Sequence, residues 1–406
     1  MEVNTHTLEN GIRLIHSESP STVGYAGLII NTGSRDEKED EHGMAHFIEH
    51  VIFKGTKKRK AYHILSRLDD VGGELNAYTT KEETCIYASF LNQDLGRALE
   101  LIQDIAFNSV FPDKELEKEK EVIIDEINSY KDSPSELIYD DFEELIFKND
   151  PMGRNILGTP EALKKFTRKD ILQFIQNNYH TNQMVICVVG DFRFKRLVSL
   201  CNKYFAELTA NIRQTERQPV NLYVPQYKEI KKDTFQNHVV IGNIAYDLNN
   251  PKRLGLHLLN NILGGPGSNS RLNMSLREKN GIAYNIESSY SPYHNTGVFT
   301  IYFGTDAENL KRSLRIIDKE LNQLRTVRLG DLQMHKAKKQ LKGQITIANE
   351  NKESLMLSLG KSFLFYNKVD SLETIYKKID VISTSDLLEI ANEIFDKNQL
   401  STLIYS

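Results

Sequence analysis

The sequence predicts an α+β protein built from two similar domains, each a sheet covered by helices, related by duplication. Three observations predict it. The chain has 406 residues, more than one hydrophobic core usually serves. A polar stretch from Leu208 to Gln226, carrying Pro219 and Pro225, splits it into nearly equal halves and reads as a linker. The second half then repeats the coarse element order of the first. The domains are therefore expected at 1–217 and 218–406.

The elements follow in order. THTLENGIRLIHSES alternates apolar and polar residues around Asn10-Gly11 and predicts a hairpin. Tyr25 to Thr32 predicts a third strand, followed by the acidic loop SRDEKEDEHG. Gly43 opens a helix containing HFIEH. A second helix, AYHILSRLDDVGG, ends at Gly72-Gly73, which suits a C-cap. NAYTTKEETCIYASF reads as a bend and then a strand from Thr84 to Phe90. Helices are predicted near Leu95–Asn108, Lys114–Tyr130 and Asp170–Tyr179, before the buried-looking strand MVICVVG. Beyond the linker come a strand at His238–Tyr246, a helix ending at Gly264-Gly265, a second helix and the strand GVFTIYF.

Composition narrows the function. The chain is 40% hydrophobic and 26% charged, ordinary for a globular protein. A net charge of -4 and the lack of a basic cluster interleaved with aromatics argue against nucleic acid as a partner. The short basic run KGTKKRK, Lys54 to Lys60, reads as a solvated loop. Cys85, Cys187 and Cys201 are few, odd in number and without C-x-x-C spacing, which favours a reducing compartment. The N-terminus reads as a strand, not a signal peptide, and no apolar run approaches the roughly 18–20 residues of a membrane span. A soluble, cytoplasmic protein is expected.

HFIEH is the stretch that carries chemistry. Helical positions four apart lie about 40° apart around the axis, and positions three apart about 60°. His46, Glu49 and His50 therefore share one face, as H-x-x-E-H, the inverse of the H-E-x-x-H found in many zinc peptidases. Two imidazoles can grip a metal while the carboxylate addresses the same spot, an arrangement suited to peptide hydrolysis by metal-activated water. Phe47, Ile48, Val51, Ile52 and Phe53 predict a buried helix, where unpartnered histidines would be costly. His42 reads as a loop or cap residue. Aligning Gly55 with Gly265 sets Leu256, Leu259 and Asn260 opposite His46, Glu49 and His50, so the second half is expected to lack the metal site.

A catalytic zinc usually keeps three protein ligands and a water, so one ligand is missing. KELEKEKEVIIDEINSY offers candidates. Val122, Ile123 and Ile127 define an inward stripe of period about 3.6, and Glu119 and Glu126 fall on it. Glu115, Glu117, Glu121 and Asp125 read as solvated. The alternative is a helix exposed along its whole length.

HGMAHFIEHVIFKGT, followed by GGELNAYTTKEETCIYASF and EKEVIIDEI, resembles the pitrilysin–insulysin family of inverted-motif zinc peptidases. Within it the chain looks most like the mitochondrial processing peptidase-like branch and its bacterial relatives. The resemblance extends over nearly the whole chain. It implies that His46, His50 and Glu126 bind one Zn2+ per chain, that Glu49 is the general base and that Glu119 supports the metal. In LREKNGIAY it implies Arg277 to hold the substrate backbone and Tyr284 to hydrogen-bond the developing oxyanion. The preceding GGPGS reads as a helix C-cap and turn; it lacks the G-K-[ST] ending of a phosphate loop.

Asn76 and Ala77 match the family's site-edge segment, where an extended peptide can add as a strand; an ordinary β-turn is the alternative. Glu136 and Asp140 match acidic positions that hold a basic substrate side chain; a solvated helix face is the alternative. The resemblance further implies two domains enclosing a chamber, a homodimer, and a zinc-dependent endopeptidase acting on extended or unfolded peptides. The rival reading is a non-catalytic scaffold or peptide-binding subunit. Such relatives typically lose the zinc residues, which this chain keeps.

Overall fold

The computed structural model describes residues 3–406. The chain forms two compact units, each an α+β sheet flanked by helices. The first comprises Met1–Asn128, Arg154–Arg217 and Ile347–Ser371. The second comprises Ser129–Gly153, Gln218–Thr346 and Leu372–Ser406.

The first unit holds β1 (Val3–Thr7), β2 (Arg13–Glu18), β3 (Val23–Ile30), β4 (Glu74–Thr79), β5 (Thr84–Leu91) and β6 (Met184–Gly190). Their order is β1-β2-β6-β3-β5-β4. β2 and β6 are parallel and the other neighbours antiparallel. The β1–β2 hairpin turns at Gly11, whose φ of 94° favours glycine. Asn10 beside it donates its side-chain amide to the Phe205 carbonyl at 2.8 Å. β6 is buried along its length because helices cover both faces, which is why it reads as an unbroken apolar run. Ile186 and Val188 join the larger core, while Val185 and Cys187 face Leu355, Met356, Leu359 and Phe363 of helix Lys352–Tyr366.

The second unit holds β7 (Tyr227–Ile230), β8 (Asn237–Ile244), β9 (Ile286–Pro292), β10 (Gly297–Thr305) and β11 (Ser401–Tyr405). Their order is β7-β11-β8-β10-β9, with β7 and β11 parallel and the rest antiparallel. Read from β2, the first sheet has the same order and the same strand senses, and adds β1 at its edge.

The helices that frame the candidate site are α1 (Met44–Val51), α2 (Ala61–Asp69), α3 (Leu95–Phe107) and α4 (Asp113–Lys131). α5 (Pro134–Ile146) belongs to the second unit, where Ile138, Phe142 and Ile146 pack with Val240, Leu403 and Tyr405. Helix Lys352–Tyr366 does the converse in the first.

Several local expectations change. Asn76 and Ala77 lie inside β4, not in a bend, because residues 74–79 pair with β5 throughout. The polar stretch before Gln218 has no regular structure but is not free. Arg213 donates to the Asn31 carbonyl at 2.7 Å, and Arg217 pairs with Asp36 at 2.7 Å. The run Lys54–Lys60 is likewise engaged, since Arg59 pairs with Asp104 at 2.5 Å and Glu100 at 2.8 Å. The second helix of the repeat is a six-residue π-helical stretch, Asn273–Glu278. Among the described residues, no helix is long and apolar enough to cross a membrane.

Candidate metal centre

α1 is short and mostly buried. Met44, Ala45, Phe47, Ile48 and Val51 face the core, and the helix packs beside β4. That burial leaves His46, Glu49 and His50 to one remaining side. α4 presents Leu116, Glu119, Lys120, Ile123 and Ile127 inward. Val122, expected on that stripe, is half exposed. The inward row follows 116, 119/120, 123 and 127, so Glu126 stands at its border with a partly exposed side chain.

The two helices bring the predicted ligands together. The His50 Nε2 atom lies 3.5 Å from Glu126 Oε2, and His46 Nε2 lies 3.9 Å from the same oxygen. The imidazole centroids are 4.6 Å apart. One ligand atom from each of His46, His50 and Glu126 falls within 4.8 Å of the others. Among the described residues this is the one such group.

The donor set fits zinc. Two neutral imidazoles and one carboxylate match a catalytic site with three protein ligands. Burial pushes the His46 imidazole down to about 3, with His50 adding to the effect, so His46 is held neutral as a ligand must be. His46 is 7% exposed, and its Nδ1 is buried without a hydrogen-bond partner. Its other nitrogen, Nε2, is the one turned toward Glu126, which leaves it free to ligate.

A supporting chain lies behind His50. Its Nδ1 stands 3.3 Å from Glu119 Oε1, and the other Glu119 oxygen is 2.7 Å from Lys54 Nζ. Burial pushes the Glu119 carboxyl up, but His50 and Lys54 outweigh it and hold it below its usual range. His50 is pulled down by burial and raised further by Glu119, Glu49 and Glu126. A carboxylate on the far nitrogen fixes the tautomer and aim of a ligating histidine. The sequence places Lys54 in a solvated loop, although it lies four residues beyond His50. That spacing was the signal for it.

Glu49 is half-buried, and desolvation raises its carboxyl. His50 and the neighbouring Thr79 oppose that rise, and Glu126 adds to it. A raised carboxyl beside a metal group suits proton transfer near neutral pH.

The remaining predicted residues sit elsewhere. Asn76 and Ala77 lie on β4, the terminal strand of its sheet, next to α1. Asn76 is exposed and Ala77 partly so. Glu136 and Asp140 are one turn apart on α5, in the second unit. With Glu143 they surround Tyr130, whose phenol burial and these carboxylates push up to about 12. Arg277 lies in the last turn of the π-helical stretch, more than half exposed and 3.9 Å from Glu278. Tyr284 precedes β9 and is 76% exposed. His42 is a loop residue, its Nε2 2.8 Å from the Asn155 carbonyl. The helix Arg253–Gly264 follows β8 and packs on β9 as α1 packs on β4. In it Leu256 and Leu259 are fully buried core residues.

Residues 13–160 match the model of the insulinase family, peptidase family M16. Residues 165–341 match that of the peptidase M16 inactive domain. The uncharacterized zinc protease YmxG of Bacillus subtilis is 32% identical over 99% of this chain and 98% of its own length. An uncharacterized zinc protease of Rickettsia bellii is 33% identical over 99% of this chain and 97% of its own. A protease from Helicobacter pylori shares the fold, with a TM-score of 0.91 at 23% identity over 100% of this chain and 99% of that one.

Proposed function

The chain belongs to the insulinase family of peptidases, M16, and from that premise we propose that it is a zinc-dependent endopeptidase cleaving extended or unfolded peptides. The observation that carries the reading is the convergence of His46, His50 and Glu126 beside the half-buried Glu49, whose carboxyl is raised.

His46, His50 and Glu126 would hold the metal. When bound, zinc supplies Lewis acidity, polarising the scissile carbonyl and acidifying the attacking water. Glu49 takes the proton from that water and returns it to the leaving amine. Glu119, braced by Lys54, keeps His50 in one tautomer and one orientation. The open edge of β4 at Asn76 and Ala77 offers backbone groups to an extended substrate, which supports strand addition. In this reading Arg277 holds the substrate backbone and Tyr284 donates to the developing oxyanion; their exposure leaves both side chains available. Glu136 and Asp140 receive a basic substrate side chain, as in processing peptidases. The enzyme acts as a cytoplasmic homodimer with one zinc per chain.

The test is cleavage of a quenched peptide library by zinc-loaded protein, with and without chelator. Chelator-sensitive cleavage is the expected result, and mass spectrometry of the products gives the preference. A zinc-loaded protein that cleaves no member of the library would overturn the enzyme in favour of a scaffold subunit.

A further inference from the structure

Glu37 stands outside every role assigned above. It lies in the loop before α1, and only 3% of it is exposed. One carboxyl oxygen accepts the N–H of Gly43 at 2.9 Å, and the other accepts the N–H of Ala45 at 2.8 Å. These are amides that a helix start cannot satisfy from within.

The cap comes from upstream because residue 43 cannot provide it. Gly43 has a φ of 95° and no side chain. Nor is there room for one, since a Cβ on Gly43 would meet Gly158 Cα at 2.8 Å. The Glu37 loop is itself held in place. Arg154 donates to the Glu37 and Lys38 carbonyls at 3.1 Å and 3.0 Å. Burial pushes the Glu37 carboxyl up to about 8, against the Ala45 and Gly43 amides and Arg154, with Glu41 adding to the rise.

α1 has eight residues, and His46, Glu49 and His50 are three of them. Two turns of helix are marginal without outside support. His46 directly follows Ala45, so the capped turn is the one that aims the first ligand. We infer that Glu37 is a positioning residue for the metal centre, a two-armed cap that fixes the first turn of α1 and through it His46. The inference rests on the peptidase reading, and Glu37 itself touches neither metal nor substrate.

The test compares full-length Glu37→Gln and Glu37→Asp with Ser383→Ala. Glutamine keeps the shape but turns one acceptor into a donor facing an amide. Aspartate is one methylene short and reaches one amide. Ser383 caps helix Thr384–Ile394 through the Asp386 N–H at 3.1 Å, far in sequence from α1. For each variant we would measure thermal midpoint, zinc affinity by chelator competition, hydrogen exchange of the α1 peptide in zinc-free protein, and kcat and KM.

Glu37→Gln should speed α1 exchange, weaken zinc about tenfold and lower kcat about tenfold with KM within about twofold. Glu37→Asp should fall between it and the wild type. Ser383→Ala should lower the midpoint and leave zinc affinity, α1 exchange and kcat unchanged. Glu37 is an ordinary cap, and the inference is overturned, if Glu37→Gln lowers the midpoint while zinc affinity and kcat stay at wild-type values. Unchanged α1 exchange in Glu37→Gln overturns it as well. A wild type that binds no zinc defeats the peptidase reading instead, while exchange of α1 still reports on the cap.

Discussion

α1 and the helix Arg253–Gly264 occupy equivalent places in two sheets of one topology. Each follows the strand equivalent to β3 and packs on the sheet's last strand, β4 or β9. One carries His46 and His50, whose ring nitrogens meet the Glu126 carboxylate from α4, together with Glu49. The other carries Leu256 and Leu259, fully buried, and Asn260. The same scaffold thus spends one helix face on polar groups and the other on core. A polar face on a buried helix is kept at a cost in stability, and the contrast shows where that cost falls.

The largest expected effect comes from forcing the second helix to resemble the first. Leu259→Glu buries an unpaired carboxylate where no metal group waits, and should destabilise by about 3–5 kcal/mol. Chemical denaturation would measure it. A loss under about 1 kcal/mol would mean that this position tolerates charge and that the two faces differ less than their burial indicates.

The reverse exchange sharpens the comparison. Glu49→Leu should leave the midpoint level with wild type or above it, while turnover falls by roughly 10²–10⁴. Paired melting and quenched-peptide assays would show whether stability and activity separate. Next in size is Glu126→Gln, which removes the charge of the proposed third ligand and should weaken zinc roughly tenfold or more. Full zinc occupancy under mild chelation would point to another third ligand.

Glu119→Gln should have a smaller effect, because it acts behind His50. It should also shift the pH dependence of zinc binding. Burial lowers the His50 pKa, but Glu119, Glu49 and Glu126 raise it above the ordinary histidine value. Zinc must displace that proton, so apparent affinity falls as pH drops through the raised value. With Glu119 neutral, the fall should begin at lower pH. Identical profiles for the two proteins would remove Glu119 from the support of His50.

The division between legible and illegible features follows the range of the interactions. HFIEH could be read because helical geometry alone puts His46, Glu49 and His50 on one face. β3, β5, β6, β8 and β10 could be read because buried strands leave dense apolar runs. The stripe that offers Glu119 and Glu126 as candidates is slightly out of phase, since Val122 faces outward and Glu126 sits at the border. Amphipathic helices announce an apolar face but not its partner. Nothing local in Pro134–Ile146 or Lys352–Tyr366 tells which sheet each will cover. The Lys54–Glu119 pair and the reach of Arg217 to Asp36 join residues far apart in sequence. Polar composition makes Lys54 read as part of a solvated loop and Arg217 as part of a linker.

We propose that the polar face of α1, completed by Glu126, forms a zinc peptidase centre in which Glu49 moves the proton. The most direct test measures zinc content and peptide turnover on the same samples of wild type and Glu49→Gln. One zinc per chain is expected in both, with chelator-sensitive turnover in the wild type alone. Equal turnover in the two proteins, or a wild type that holds no zinc, would contradict it.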